Sequence, residues 1–239
     1  MNICQVSLAR NIPLILENYL EFKKKYHSIK IFIICPKKEI LEFKEKCKFK
    51  EFNIICEDEL ISIDDFKKIY KDLNKNINYE KEFLKRINWY YQQILKLSFV
   101  IKFIKENKKK IIIWDADTIL LRKVNFFNKN ISIRYGTFHE FHKPYYVTNQ
   151  SILKIFPNYF ISSLVQFSAL TELECDNLLK NILNINEVDS QTSSKLSKVI
   201  LQNIFKNVSS LDTSLPYNTS LFSEYELIGQ SNWNINKSK

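Results

Sequence analysis

The first half of the chain alternates between nearly unbroken apolar runs and segments whose apolar residues recur at helical spacing. NICQVSL (2–8), IKIFIIC (29–35) and EFNIIC (51–56) read as strands, with Pro36 closing the second. IPLILENYLEFKKKY (12–26) and EILEFKEKC (39–47) read as amphipathic helices. A long helical stretch over 78–107, with a break expected near Asn88, leads to a fourth strand at 111–114. Strands that are apolar throughout belong to a parallel sheet covered on both faces. The alternation of strand and helix predicts an α/β fold, Rossmann-like, with a mostly parallel sheet flanked by helices. The second half is less regular. ISIRYGTF (131–138) predicts a strand and residues 139–147, with Pro144, a loop. DNLLKNIL (176–183) and SSKLSKVILQNIF (193–205) predict helices. With no Pro-, Gly- or Ser-rich linker and no repeat, one domain is expected over 1–239. Residues 1–123 would form its nucleotide-binding half and 124–239 a more irregular, helical, acceptor-side half.

Composition narrows the function classes. The 239 residues carry a formal net charge of +10, yet only four of the 36 basic residues are arginines (Arg10, Arg86, Arg122, Arg134). Lysines scattered along the whole chain describe a solvated surface better than a nucleic-acid stripe. The remaining excess favours a nucleotide phosphate or an anionic membrane face. The five cysteines have no framework spacing, and three lie in apolar runs as small buried hydrophobes, which fits a reducing compartment. The opening MNICQVSLARNIPLIL lacks a basic stretch ahead of an apolar core, and no run reaches the roughly 18 apolar residues of a bilayer span. A cytoplasmic location is therefore expected, with room for peripheral contact at the inner membrane. Only two glycines occur, Gly136 and Gly229, so neither a GxGxxG turn nor a GxxxxGK[ST] loop can be built. A bound nucleotide would need its phosphates neutralised by other means.

The fourth strand offers such a means. In KKKIIIWDADTILLRK (108–123), four apolar residues run directly into Asp115 and Asp117. Ligands of open α/β sheets bind beyond the carboxyl ends of the strands. Two carboxylates one residue apart at such an end can direct oxygens at one hard cation, Mn²⁺ or Mg²⁺, which bridges readily to diphosphate oxygens. A departing nucleoside diphosphate gains charge that such a cation stabilises. The same stretch fits the hhhhDxDx[TV] signature of haloacid-dehalogenase-type phosphatases, with Asp115 as nucleophile and Asp117 as general acid. That reading needs a second acidic pair downstream, where Asp176, Asp189 and Asp212 stand alone. A third reading is a non-catalytic basic module that binds nucleic acid or an anionic membrane.

RINWYYQQILKLSFV (86–100), IIIWDADTILLRK (111–123) and FSEYELIG (222–229), in this order, resemble a family of bacterial proteins of uncharacterised domain type that is similar to nucleotide-sugar-dependent glycosyltransferases of GT-A fold. QVSLARNIPLILENYLEFKKKY and IKIFIICPKK look like that family's first strand, helix and second strand, so the likeness spans residues 5 to about 229. The resemblance implies sugar transfer from a nucleotide-sugar donor to a hydroxyl of a glycan or glycolipid, in surface polysaccharide or lipopolysaccharide synthesis. It implies that Asp115 and Asp117 hold the metal and the donor diphosphate. Arg86, Gln93 and Lys96 would reach the donor's sugar or phosphates, and Ser7, Arg10 and Asp58, at strand ends, would meet its base and ribose. Asn11 and Pro13 account for the Arg10 loop equally well as a plain helix start. In HEFHKPYY (139–146), His139, Tyr145 and Tyr146 suit an acceptor loop, the tyrosines stacking on sugar rings and the histidine hydrogen-bonding a hydroxyl. Glu224 or Glu226 suits a general base that takes the acceptor's proton, as an inverting transfer requires.

Overall fold

The computed structural model describes residues 1–73, 77–137, 141–156, 162–163, 165–210 and 220–233. Seven strands and eight α-helices are described: β1 (Asn2–Val6), α1 (Ile12–Lys25), β2 (Lys30–Cys35), α2 (Ile40–Lys46), β3 (Phe52–Cys56), α3 (Ile63–Leu73), α4 (Ile77–Asn107), β4 (Ile111–Trp114), β5 (Phe127–Asn128), β6 (Ile131–Ser132), α5 (Lys143–Leu153), β7 (Phe167–Leu170), α6 (Glu172–Leu183), α7 (Thr192–Lys206) and α8 (Glu224–Ser231). The main sheet has the order β3-β2-β1-β4-β7. β1, β2, β3 and β4 run parallel, and β7 pairs antiparallel with β4 through Ile112 opposite Ala169 and Trp114 opposite Phe167. The result is an α/β architecture compatible with a Rossmann-like fold.

Strand alternation divides the core in two. On one face Ile3, Ile31, Ile33, Ile112 and Trp114 pack with Ile15, Tyr19 and Phe22 of α1 and Phe43 of α2. On the other, Cys4, Ile34, Ile111 and Ile113 meet α4, with α3, α6, α7 and α8 stacked outside or beside it. Both faces are covered because the β1–β4 strands are apolar at odd and even positions alike. All five cysteines are free, and four are buried, as small hydrophobes. Among the described residues no helix is long and apolar enough to cross a membrane.

Three expectations are corrected, and one strand appears that the sequence did not predict. α4 is continuous through Asn88, because that side chain points to solvent and an Asn there weakens the helix only modestly. Of the expected strand 131–138, Ile131–Ser132 pairs in a short ribbon with Phe127–Asn128 and Thr137 forms a single antiparallel bridge with Ser162, while position 138 lies outside the described residues. Part of the expected loop 139–147 is helix α5, whose Pro144 occupies the first turn, where a missing N–H is harmless. The antiparallel edge β7 has no sequence signal beyond four small and apolar residues.

Scarcity of glycine shows at helix ends. Lys154 and Asn184 cap α5 and α6 with φ of 55° each, and Lys108 follows α4 with φ 54°. The left-handed region favours glycine. Lys154→Gly, at an exposed side chain, is expected to raise stability by about 0.5–1 kcal/mol, seen as a melting temperature roughly 2–3 °C higher.

Candidate functional site

In a sheet of order 3-2-1-4 the chain reverses direction of winding between β1 and β4, and the crevice beyond their carboxyl ends is where such folds bind ligands. A cavity of about 410 Å³ opens there, lined by Val6 at the end of β1, Asn11 beyond it, and Asp115 and Asp117 beyond β4. Trp89, Gln92, Gln93 and Lys96, one face of α4, form a second wall. The start of α8 (Ser223, Glu224, Tyr225) and the Val165–Gln166 approach to β7 complete it.

The Asp-x-Asp is held in a tight turn. The Thr118 amide donates to the Asp115 carbonyl at 3.1 Å, the Trp114 indole to the Thr118 carbonyl at 2.8 Å, and the Asp115 amide to the Gln166 carbonyl at 3.0 Å. Asp117 is thereby left exposed while Asp115 turns inward.

Beneath Asp115 lies an ion cluster. Lys96 Nζ donates to Asp115 Oδ1 and to Glu224 Oε1, both at 2.6 Å, and the Tyr225 hydroxyl donates to Asp115 Oδ1 at 2.7 Å. The Lys96 and Glu224 side chains are 6% and 3% exposed, so little water reaches the pair. Burial by itself would lower the Lys96 pKa, but the charges of Glu224 and Asp115 outweigh it and hold the ammonium protonated. Burial raises the Glu224 pKa, opposed by Lys96, because one ammonium must serve two carboxylates. Burial and then the Asp115 charge push the Tyr225 phenol well up, so it acts as a donor. Gln93 fixes the entrance of α8 by accepting the Glu224 amide at 2.9 Å.

Formally, three carboxylates (Asp115, Asp117, Glu224) face one ammonium (Lys96) around this cavity, a local charge of −2 in a chain of +10. A bare diphosphate would be repelled. The described residues hold no cluster of three or more His, Cys, Asp or Glu able to cage a metal. The donor set instead fits a cation that takes one or two carboxylates and leaves its other positions to water and substrate phosphates, as Mg²⁺ does. Asp117 and the second oxygen of Asp115 would be the groups to hold it.

The fold thus brings Gln93, Lys96, Asp115, Asp117 and Glu224 together. Gln92, Gln93 and Lys96 share one wall. Other candidates lie outside the lining. Ser7 is buried, its hydroxyl donating to the Leu8 carbonyl and accepting from Asn11. Arg10 is exposed on the Ala9–Asn11 turn, and Asn11 begins α1 without a side-chain cap bond. Asp58 is exposed beyond β3. Arg86 stands over the Trp89 indole at 5.8 Å. His139 lies outside the described residues. Tyr145 is 9% exposed, packed on His142 and Trp89, and Tyr146 is 1% exposed against Phe141, which closes both rings to a stacking sugar. Glu226 faces away from the cavity. It is fully buried and accepts from the Ser162 hydroxyl, the Ser163 amide and the Gln230 amide at 2.9–3.0 Å, so it anchors chain rather than meeting an acceptor. Val165 and Gln166 carried no sequence signal, since their place in the wall depends on β7.

The anchor explains Gly229. A Cβ there would stand 1.9 Å from Ser163 Oγ and 2.5 Å from Ser163 Cβ. Gly229→Ala is expected to destabilise by about 1–3 kcal/mol despite alanine's better helix propensity, measured by denaturant unfolding. A neutral outcome would show that α8 does not clamp this segment.

No family model matches the chain, and no curated protein matches it.

Proposed function

We propose that the protein is a metal-dependent glycosyltransferase of GT-A type that moves a sugar from a nucleotide-sugar donor to a hydroxyl of a glycan or glycolipid. The observation that carries this reading is the acidic cavity at the β1/β4 crevice of an otherwise basic chain. Carboxylates there select a cation, and the cation in turn accepts a diphosphate. The motif resemblance across 86–100, 111–123 and 222–229 supports the same reading.

Mn²⁺ or Mg²⁺, when bound, would neutralise the charge that develops on the leaving diphosphate. Asp117 and Asp115 would hold it. Lys96 orients Asp115 and Glu224 through its two short bonds. Gln92, Gln93, Gln166 and Asn11 offer amide donors and acceptors to sugar hydroxyls. Trp89 and Val165 give an apolar surface for a ring face. Glu224, whose proton affinity is raised by burial, is the carboxylate placed to take a proton from an attacking hydroxyl.

The test is a thermal-shift series with UDP and GDP, each with and without Mn²⁺. Stabilisation that needs nucleotide and Mn²⁺ together is expected, lost in Asp117→Ala while the metal-free melting temperature stays within about 1–2 °C, since exposed side chains contribute little to stability. Equal nucleotide binding with and without Mn²⁺, or retention in Asp117→Ala, would sink the proposal.

A further inference from the structure

The edge of the sheet opposite the cavity, at the amino ends of the parallel strands, has the reverse electrostatic character. A groove of about 510 Å³ lies there between the end of α1, the turn before β4 and the strand β5. Lys109, Lys110 and Lys123 line it together with the part-buried Tyr26 and Phe127 and the buried Phe126, and among the described residues no carboxylate does. Asn2 and Lys109 are shared with a second groove of about 350 Å³, where Lys30 and Lys102 flank Phe32, Phe99 and Phe103, with Glu59 and Glu106 at the margin. None of these five lysines forms a salt bridge among the described residues.

The first groove is built by long-range bonds. The Tyr26 hydroxyl donates to the Val124 carbonyl at 2.7 Å and accepts the Val124 amide at 2.9 Å, tying α1 to the chain before β5. Asn2 Nδ2 donates to the Lys110 carbonyl at 2.9 Å, fixing the turn that carries the lysines. Lys110 Nζ donates to the Lys129 carbonyl and lies 5.4 Å from the Phe127 ring centre. These contacts hold the Lys110 head above the Phe127 ring, with Lys109 and Lys123 on the same groove. Three lysines lining one groove give it a positive potential that attracts an anion. Aromatic rings beside them favour an apolar body next to the anion.

We propose that this edge binds a phosphate ester carrying an apolar group, with Lys109, Lys110 and Lys123 on the phosphate and the part-exposed Tyr26 and Phe127 under the apolar part. A lipid headgroup and a free amphiphilic phosphate share this chemistry. The proposal does not depend on the sugar-transfer reading, because the two sites use opposite edges of the sheet.

The experiment measures binding to phosphatidylglycerol vesicles and to phosphatidylcholine vesicles by sedimentation, and to soluble dihexanoyl phosphatidylglycerol by thermal shift. Wild type is expected to bind phosphatidylglycerol and not phosphatidylcholine. Lys109→Glu/Lys110→Glu/Lys123→Glu should weaken binding by about a hundredfold or more, at roughly fivefold per lysine. Lys67→Glu/Lys68→Glu/Lys71→Glu on α3, with the same change in net charge, should bind as wild type. Should the first triple variant misfold, Lys109→Gln/Lys123→Gln at two exposed, unpaired side chains should lose about tenfold or more. Binding to vesicles but not to the soluble ester assigns the source to a membrane, and the reverse to a free ligand; either supports the site. Equal losses in the two triple variants, no loss in the glutamine pair, or no binding to either anionic probe overturns it.

Discussion

Lys96→Met lowers the unfolding free energy by about 3–5 kcal/mol, because it leaves Glu224 as an uncompensated buried carboxylate and strips the part-exposed Asp115 of its ammonium partner. For a chain of this length that is on the order of 10 °C in melting temperature. The loss exceeds that of an exposed ion pair such as Lys46–Glu42, which water and salt screen. Glu224→Gln in the same chain should restore part of the loss, since it removes one of the stranded charges, and the double-variant cycle should show coupling of 0.5 kcal/mol or more. The pH dependence has a definite sign. The folded pKa of Lys96 lies above its ordinary 10.5, so its stabilisation is fully present below pH 10.5 and is lost as pH rises through the folded value. Wild type should therefore lose stability on that alkaline limb, and Lys96→Met should lack the component. A melting temperature within 2 °C of wild type would show that the ion cluster does not form in solution.

Glu224→Gln abolishes most of the proposed transfer while leaving the fold in place. The amide oxygen still accepts from Lys96, and the backbone bond to Gln93 is untouched. What is lost is a group able to accept a proton, and general bases typically contribute about 10²–10⁴ in rate. The expected result is a fall of that size in kcat with nucleotide and Mn²⁺ binding unchanged, since Glu224 is not among the residues proposed to hold the cation. Burial holds the Glu224 pKa above its ordinary 4.5, so wild-type activity should decline as pH falls, with an apparent pKa above 4.5. Ionising the residue opposes folding. Its contribution therefore favours the folded state below pH 4.5 and fades as pH rises through the raised value. Full activity in Glu224→Gln would assign the base elsewhere or show that none is used.

The parts of this molecule legible in the sequence are those set by local spacing. β1–β4, α1, α2, α6 and α7 emerge within a few residues of their observed bounds, since apolar period and turn residues lie inside each segment. The Asp-x-Asp turn was legible for the same reason, as an acidic pair directly after an apolar strand. Pro144 misled because the same residue breaks a helix in its interior and begins one in its first turn. ISIRYGTF misled because alternation makes a strand only where a partner runs alongside, and among the described residues β5 offers two residues and Ser162 a single bridge to Thr137.

The amino-acid sequence by itself determined the α/β alternation, the strand that ends in Asp115, and an overall positive charge. Tertiary structure alone decided that Lys96, 19 residues before Asp115 and 128 before Glu224, would join the two acids, and that Glu224 would enter the cavity while Glu226 would anchor Ser162 and Ser163. Spacing along a chain fixes what a segment can bury. Which charges meet depends on how β4 docks beside β1 and where α8 returns, and those placements are settled by packing among residues far apart in sequence.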